Sequence, residues 1–162
     1  MYSIGDKIVH PMHGAGTIES ITTQTVNGNI LEYYILKLPA NNMTIMIPVS
    51  TCDKIGIRDV ISRERADELL SLFSSIDIDL DTNWNKRYRD NIARIKSGDL
   101  DEVVRVIKSL TYRDFKTGLS TGERKILLSA KQILLSELVL ALEKDYNEVD
   151  TYLDSVMAES FK

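Results

Sequence analysis

The sequence predicts an α+β protein of two domains, with a small antiparallel β barrel over residues 1–57 and an all-α helical bundle over residues 58–162. Short segments rich in β-branched and aromatic residues, separated by turn residues, occupy the first part. Longer segments with apolar residues at helical spacing occupy the second part. Apolar residues make up 43% of the chain, which is typical of a folded protein with a buried core.

The first part is predicted to contain four or five short strands. Asn27-Gly28 is the strongest local signal, because both residues tolerate the left-handed conformation of a type I′ hairpin turn. A second turn is expected at residues 40–42. Several short antiparallel strands joined by such turns are typical of a small barrel. The predicted strands cover residues 7–10, 17–26, 31–38 and 43–48.

The second part is predicted from helix-capping residues and apolar periodicity. Ser120 and Glu123 have the spacing of a capping box at the start of the longest helix. Leucines cover much of the surface of this helix, which should therefore be the central buried one. Residues 74–81, with three Asp, are predicted to form a solvated linker. The predicted N-caps are Ser62, Asn83, Asp99 and Ser120, and the helices cover about residues 63–73, 84–96, 100–116, 121–142 and 146–157.

Charge is unevenly distributed along the chain. The net charge is −4, which by itself argues against a nucleic-acid partner. Residues 86–131, however, contain 12 Lys and Arg against 6 Asp and Glu, whereas the rest contains 8 against 18. Such asymmetry can create a local positive surface on an acidic protein, or it can reflect a helical region with more solvated lysines.

The helix over residues 84–96 combines an aromatic stripe with cations. Trp84, Tyr88, Ile92 and Ile95 share an arc of about 80° on a helical wheel. Trp84 lies in the first turn, where it can be a core residue or a wedge against an unstacked base pair, and periodicity does not separate the two. The candidate DNA-binding residues are Trp84, Lys86, Arg87, Arg89, Arg94, Arg124, Lys125 and Lys131.

No catalytic residue, metal site or cofactor is expected. His10 and His13 are three residues apart, and Cys52 is the only cysteine, so a zinc site has too few ligands in sequence. Cys52 lacks the neighbouring base that a nucleophile needs, and we expect it to be a small buried residue. The absence of disulfides fits a reducing cytosol.

Seven segments, taken in order, resemble the CarD/CdnL family of bacterial RNA polymerase-binding regulators. The resemblance covers about residues 2–157. The set is more specific than any of its parts, and it consists of residues 5–14 (GDKIVHPMHG), 32–38 (EYYILKL), 47–48 (IP), 56–60 (GIRDV), 83–89 (NWNKRYR), 97–99 (SGD) and 118–124 (GLSTGER).

The resemblance implies a cytoplasmic bacterial transcription regulator, associated with the nucleoid through RNA polymerase. Its first part would be a Tudor-like domain that docks on a lobe of the polymerase β subunit through an exposed strand edge. Its helical part would contact promoter DNA at the upstream edge of the melted bubble. The family's tryptophan, which enters the minor groove and resists bubble collapse, corresponds to Trp84, and the family's basic cluster corresponds to Lys86, Arg87, Arg89 and Arg124.

Two positions depart from the family pattern on the polymerase-facing strands. Family members often carry arginines there, whereas this chain has Gln24 and Met46, so strand pairing and apolar contact would have to replace charge.

An adaptor that binds polymerase without touching DNA is the main alternative function, and an enzyme with a metal at the two histidines is a distant one. We expect a monomer, although the strand edge could also pair two copies. The expected polymerase-binding residues are Thr23, Gln24, Thr25, Met43, Ile45 and Met46.

Overall fold

A computed structural model describes residues 1–39 and 42–162, and it shows an antiparallel sheet followed by a bundle of helices. The strands are β1 (Lys7–His10), β2 (Gly14–Val26), β3 (Asn29–Lys37), β4 (Thr44–Pro48) and β5 (Arg58–Asp59), and their order across the sheet is β4-β3-β2-β1-β5. The predicted α+β class is confirmed, but the sheet is not closed into a barrel within the described residues. Strand β5, at the edge of the sheet beside β1, has only two residues, which is too short to complete a closed barrel.

The β2–β3 hairpin is the longest feature of the sheet. Asn27 and Gly28 have φ values of 50° and 82°, as the predicted hairpin turn requires. The end of the hairpin extends beyond the hydrophobic core of the sheet, and every residue from 23 to 30 is exposed. The predicted turn at residues 40–42 lies mostly outside the described residues. Strand β5 extends the sheet two residues past the boundary expected at residue 57.

The helices begin where the sequence predicts. The side chains of all four predicted N-cap residues accept a hydrogen bond from a backbone N–H in the first turn of their helix. The short α1 and a 3-10 turn at Val49–Thr51 were not predicted. The helices are α1 (Cys52–Ile55), α2 (Arg63–Leu72), α3 (Trp84–Lys96), α4 (Leu100–Lys116), α5 (Thr121–Leu142) and α6 (Tyr146–Ser160).

Helix α5 is the centre of the helical part. It packs against α3, α4 and α6 and also against β2. Residues 133–139 of α5 are all buried, although Leu128 is exposed. In the described part of the chain, no helix is long and apolar enough to cross a membrane.

Two polar residues in the apolar stretch of α5 join it to the sheet. Ser136 Oγ accepts a hydrogen bond of 2.8 Å from the backbone N–H of Ala15. Gly14 has a φ of 93°, and a Cβ there would lie 2.4 Å from Ser136 Oγ, so only glycine allows this close approach. Glu137 is completely buried and accepts hydrogen bonds of 2.7 and 2.8 Å from Arg58. The β1–β2 turn and strand β5 are thus both fixed against α5.

Candidate nucleic-acid interface

Trp84 is the first residue of α3, directly after the N-cap Asn83, and its indole is half-exposed. Its side chain is 43% exposed and stacks on Tyr88, with 5.0 Å between ring centroids and 20° between planes. Its Nε1 donates a hydrogen bond of 3.1 Å to Ser120 Oγ, the N-cap of α5. Gly122 lets α5 approach, because a Cβ there would lie 3.2 Å from the Tyr88 ring. The indole is therefore not a core residue: it stacks on Tyr88, and part of the ring is exposed to solvent.

Arg87 lies behind this aromatic pair, in the interior of the protein. It is 5% exposed, and its guanidinium donates hydrogen bonds of 2.8 and 3.1 Å to Glu123 of α5. The hydrogen bonds from Arg87 hold the pKa of the Glu123 carboxyl below its usual value, against the opposing effect of burial. Arg87 was expected at the DNA-binding surface. It instead joins α3 to α5, because a buried carboxylate on α5 requires a cationic partner.

The segment before α3 is held against the helices, although the sequence predicted a solvated linker. Arg94 donates a hydrogen bond of 2.9 Å to Asp79, and the backbone N–H of Asp79 donates one of 2.8 Å to Ser109. Arg94 also lies 3.4 Å from Glu102. Burial raises the pKa of Asp79, but hydrogen bonds from the Asp81 backbone and from Arg94 outweigh it and lower the pKa overall. Arg94 is a predicted DNA contact, but its guanidinium is paired with carboxylates of this segment and of α4.

Two of the predicted cations are exposed but paired. Lys86 Nζ lies 2.8 Å from Asp81 and 3.7 Å from Asp90. Arg124 lies 3.1 Å from Asp114, and its side chain is 58% exposed. Exposed ion pairs of this kind contribute little to stability, so these two side chains can exchange a carboxylate for a phosphate at low cost.

The remaining cations differ in their surroundings. Lys131 pairs with Asp154 of α6 at 3.4 Å. Arg89, Lys96 and Lys125 are exposed and have no ion pair with any residue that the structure describes. Lys96 was not among the predicted site residues. In the sequence, only helical periodicity indicates Lys96 as a candidate, because it places Lys96 on the same side of the helix as Arg89.

The predicted polymerase-facing residues lie on β2 and around β4, the exposed edge of the sheet. Gln24 Nε2 lies 3.9 Å from Met46 Sδ, so the two positions that depart from the family pattern touch each other. Met46 is 42% exposed, so Gln24 and Met46 form an uncharged patch beside the free edge of the sheet. Met43 lies just before β4 and is 56% exposed.

Three other expected polymerase-binding residues do not share the face of Gln24 and Met46. Ile45 pairs with Leu36, which is fully buried, and Ile45 itself packs on the core of the sheet. Thr23 and Thr25 alternate with Gln24 along β2 and so lie on the opposite face of the hairpin. The alternation of a β-strand thus divides the predicted set between two faces.

The histidine pair lies at the β1–β2 turn, and the cysteine lies in the core of the sheet. His10 and His13 have ring centroids 4.6 Å apart, and His10 Nδ1 accepts a hydrogen bond from the Met12 backbone. Cys52 is buried in the core of the sheet, as predicted. In residues 1–39 and 42–162, no group of three or more His, Cys, Asp or Glu is arranged to hold a metal ion.

Comparison with known proteins gives matches to both parts of the chain. Residues 2–61 match the family model described as "CarD-like/TRCF RID domain", and residues 68–154 match "CarD, C-terminal domain". The chain is 35% identical over 138 residues to the Bacillus subtilis (strain 168) protein named "Putative transcription factor YdeB". That alignment covers 85% of this chain and 90% of the relative.

Proposed function

Because this chain belongs to the CarD/CdnL family of transcription regulators, we propose that it binds the RNA polymerase β subunit and promoter DNA together and stabilises the open promoter complex. The Tudor-like sheet is the polymerase-binding part, and the helical part that follows β5 is the DNA-binding part. The proposal needs no catalytic group, metal or cofactor.

The half-exposed Trp84 is the observation that carries the DNA part of the proposal. Stacking on Tyr88 and a hydrogen bond to Ser120 fix the indole in one orientation before DNA arrives. A fixed aromatic ring loses little conformational entropy when it wedges against the unstacked base pair at the upstream edge of the bubble, through the minor groove. Because the wedge contacts melted DNA better than closed DNA, it shifts the equilibrium towards the open state.

The cations around Trp84 divide into those that can reach phosphate directly and those that cannot. Arg89 and Lys125 are exposed and unpaired among the described residues, so they are proposed as phosphate contacts. Lys86 and Arg124 join them by giving up weak surface ion pairs. The three cations held in internal or α6 pairs are left out of the contact set: Arg87, Arg94 and Lys131.

The polymerase part of the proposal uses the free edge of the sheet. An extended segment of the β subunit adds a strand beside β4, so main-chain hydrogen bonds supply the affinity. Met46 and Gln24 supply an uncharged contact at this edge. Docking places the helical part beside the promoter at high effective concentration, so weak intrinsic DNA affinity is sufficient for a chain with a net charge of −4.

A polymerase adaptor without DNA contact is the second candidate, and the internal pairing of Arg87 and Arg94 favours it. Salt dependence separates the two candidates. DNA contact in the polymerase complex should weaken steadily as salt increases, because phosphate binding releases counterions. An adaptor would show no contribution of the protein to DNA binding at any salt concentration.

The proposal is tested by the lifetime of open complexes challenged with competitor DNA. Trp84→Ala should shorten the lifetime about tenfold, since stacking on a base contributes about 1–3 kcal/mol. Phe115→Ala is the matched control, because Phe115 is an 82% exposed aromatic residue at the end of α4. If Trp84→Ala leaves the lifetime unchanged on several promoters, the wedge is wrong.

A further inference from the structure

A narrow groove begins beside the Trp84–Tyr88 stack and runs between α3 and α5 to the β1–β2 turn. It has a volume of about 160 Å³ and opens to solvent. Its floor is apolar, formed by Tyr88, Ile92 and Ile126, and two lysines stand at its sides, Lys96 and Lys125. Met12, from the β1–β2 turn, also lines it, so residues of both domains build one surface.

Met12 is held at the groove by the docking of its turn on α5. Gly14 lies against Ser136 and Ile133, where even a methyl group would collide with Ser136 Oγ. The next residue, Ala15, donates its backbone N–H to the same oxygen. Within the turn, the Met12 backbone N–H donates a hydrogen bond to His10 Nδ1. Met12 is nevertheless 47% exposed, so a well-anchored turn presents a flexible apolar side chain to solvent.

The charge around the groove is not balanced within the protein. Arg89, Lys96 and Lys125 lack an ion pair among the described residues, whereas the other cations of α3 are paired with carboxylates. Uncompensated cations above an apolar floor match a sugar–phosphate chain, whose phosphates bind the cations and whose deoxyribose carbons pack on apolar side chains.

We propose that this groove holds the sugar–phosphate backbone of the DNA strand that leaves Trp84, and that Met12 makes the β domain a direct part of the DNA-binding surface. The inference rests on the proposed function. On α5 the groove is lined from Gly122 to Ser129, a rise of about 10 Å along the helix. That length matches about three base steps at 3.4 Å each.

Crosslinking in the complete polymerase–promoter complex tests the path directly. A photocrosslinking amino acid placed at Met12 should form an adduct with promoter DNA, whereas the same group at Ile4 should not. Ile4 is the matched control because it is also an exposed apolar residue of the β domain, at 64% exposure. An adduct at neither position, in complexes that the Trp84 experiment shows to be functional, would overturn the inference while leaving the proposed function intact.

Charge reversal gives a second readout that does not depend on crosslinking efficiency. Lys96→Glu should shorten the lifetime of open complexes several-fold and lower the salt dependence of DNA binding. Lys54→Glu, at another exposed lysine without an ion pair among the described residues, should do neither. Binding to the isolated polymerase β lobe should be equal for both variants. Equal open-complex lifetimes for the two variants would mean that Lys96 does not contact DNA, and they would contradict the proposal that DNA lies in the groove.

Discussion

Arg58 of β5 and Glu137 of α5 form a bidentate ion pair that joins the sheet to the helical bundle. Their nitrogen–oxygen distances are 2.7 and 2.8 Å, and Glu137 is completely buried. The same carboxylate also accepts a hydrogen bond of 2.9 Å from the Ile61 backbone N–H, in the segment that connects the two parts. One side chain thus fixes both the last strand and the connection to α2.

We expect Glu137→Gln to destabilise the protein by about 2 kcal/mol, because hydrogen bonds to a charged group contribute about 1.5–3 kcal/mol. Glu143→Gln is the matched control. Glu143 is on the turn that follows α5, is 71% exposed and lies 3.6 Å from Lys7, so its loss should cost under about 1 kcal/mol. Urea unfolding measures both changes. Equal losses would mean that the buried pair contributes no more than a surface one.

Ser120→Ala should act on both the helix and the tryptophan. Removing the N-cap of α5 should cost about 1 kcal/mol of stability. It should also shift the fluorescence of Trp84, the only tryptophan, because the indole Nε1 loses its acceptor. Ser62→Ala removes the N-cap of α2 and should cost about the same without altering the emission. A similar emission change in both variants would contradict the Ser120 contact.

The Arg87–Glu123 pair should make part of the stability pH-dependent. Since the pKa of Glu123 is lowered in the folded protein, its contribution is present above the unfolded pKa of about 4.3 and is lost as pH falls through the folded value. Glu123→Gln should therefore lower the free energy of unfolding by about 2 kcal/mol at pH 7 and by less in acid. Unfolding curves at a series of pH values measure this difference, and a constant difference would contradict the assignment.

Met46→Glu should weaken binding to the isolated polymerase β lobe, because it places a charge in the uncharged patch beside the free edge of the sheet. Thr23→Glu, on the opposite face of the hairpin, should bind with nearly the wild-type affinity. A pull-down or titration with the purified lobe compares the two. If Thr23→Glu weakens binding more than Met46→Glu does, the lobe contacts the other face.

The sequence by itself determined the local structure of this protein. The hairpin turn at Asn27-Gly28 and the helix starts after Ser62, Asn83 and Ser120 were all predicted. Each depends on residues within a few positions of one another, because capping and turn geometry are local. The position of Trp84 at the start of α3 follows from the same signals.

Only the tertiary structure decided which charges face outward and how the two parts join. Arg87 and Arg89 are two residues apart on one helix, yet the first is buried against Glu123 and the second is exposed. Glu137 can be buried within an apolar stretch because Arg58, distant in sequence, pairs with its carboxylate. Whether a charged side chain is buried or exposed depends on the partners that packing brings close to it. Helical periodicity carries no information about those partners.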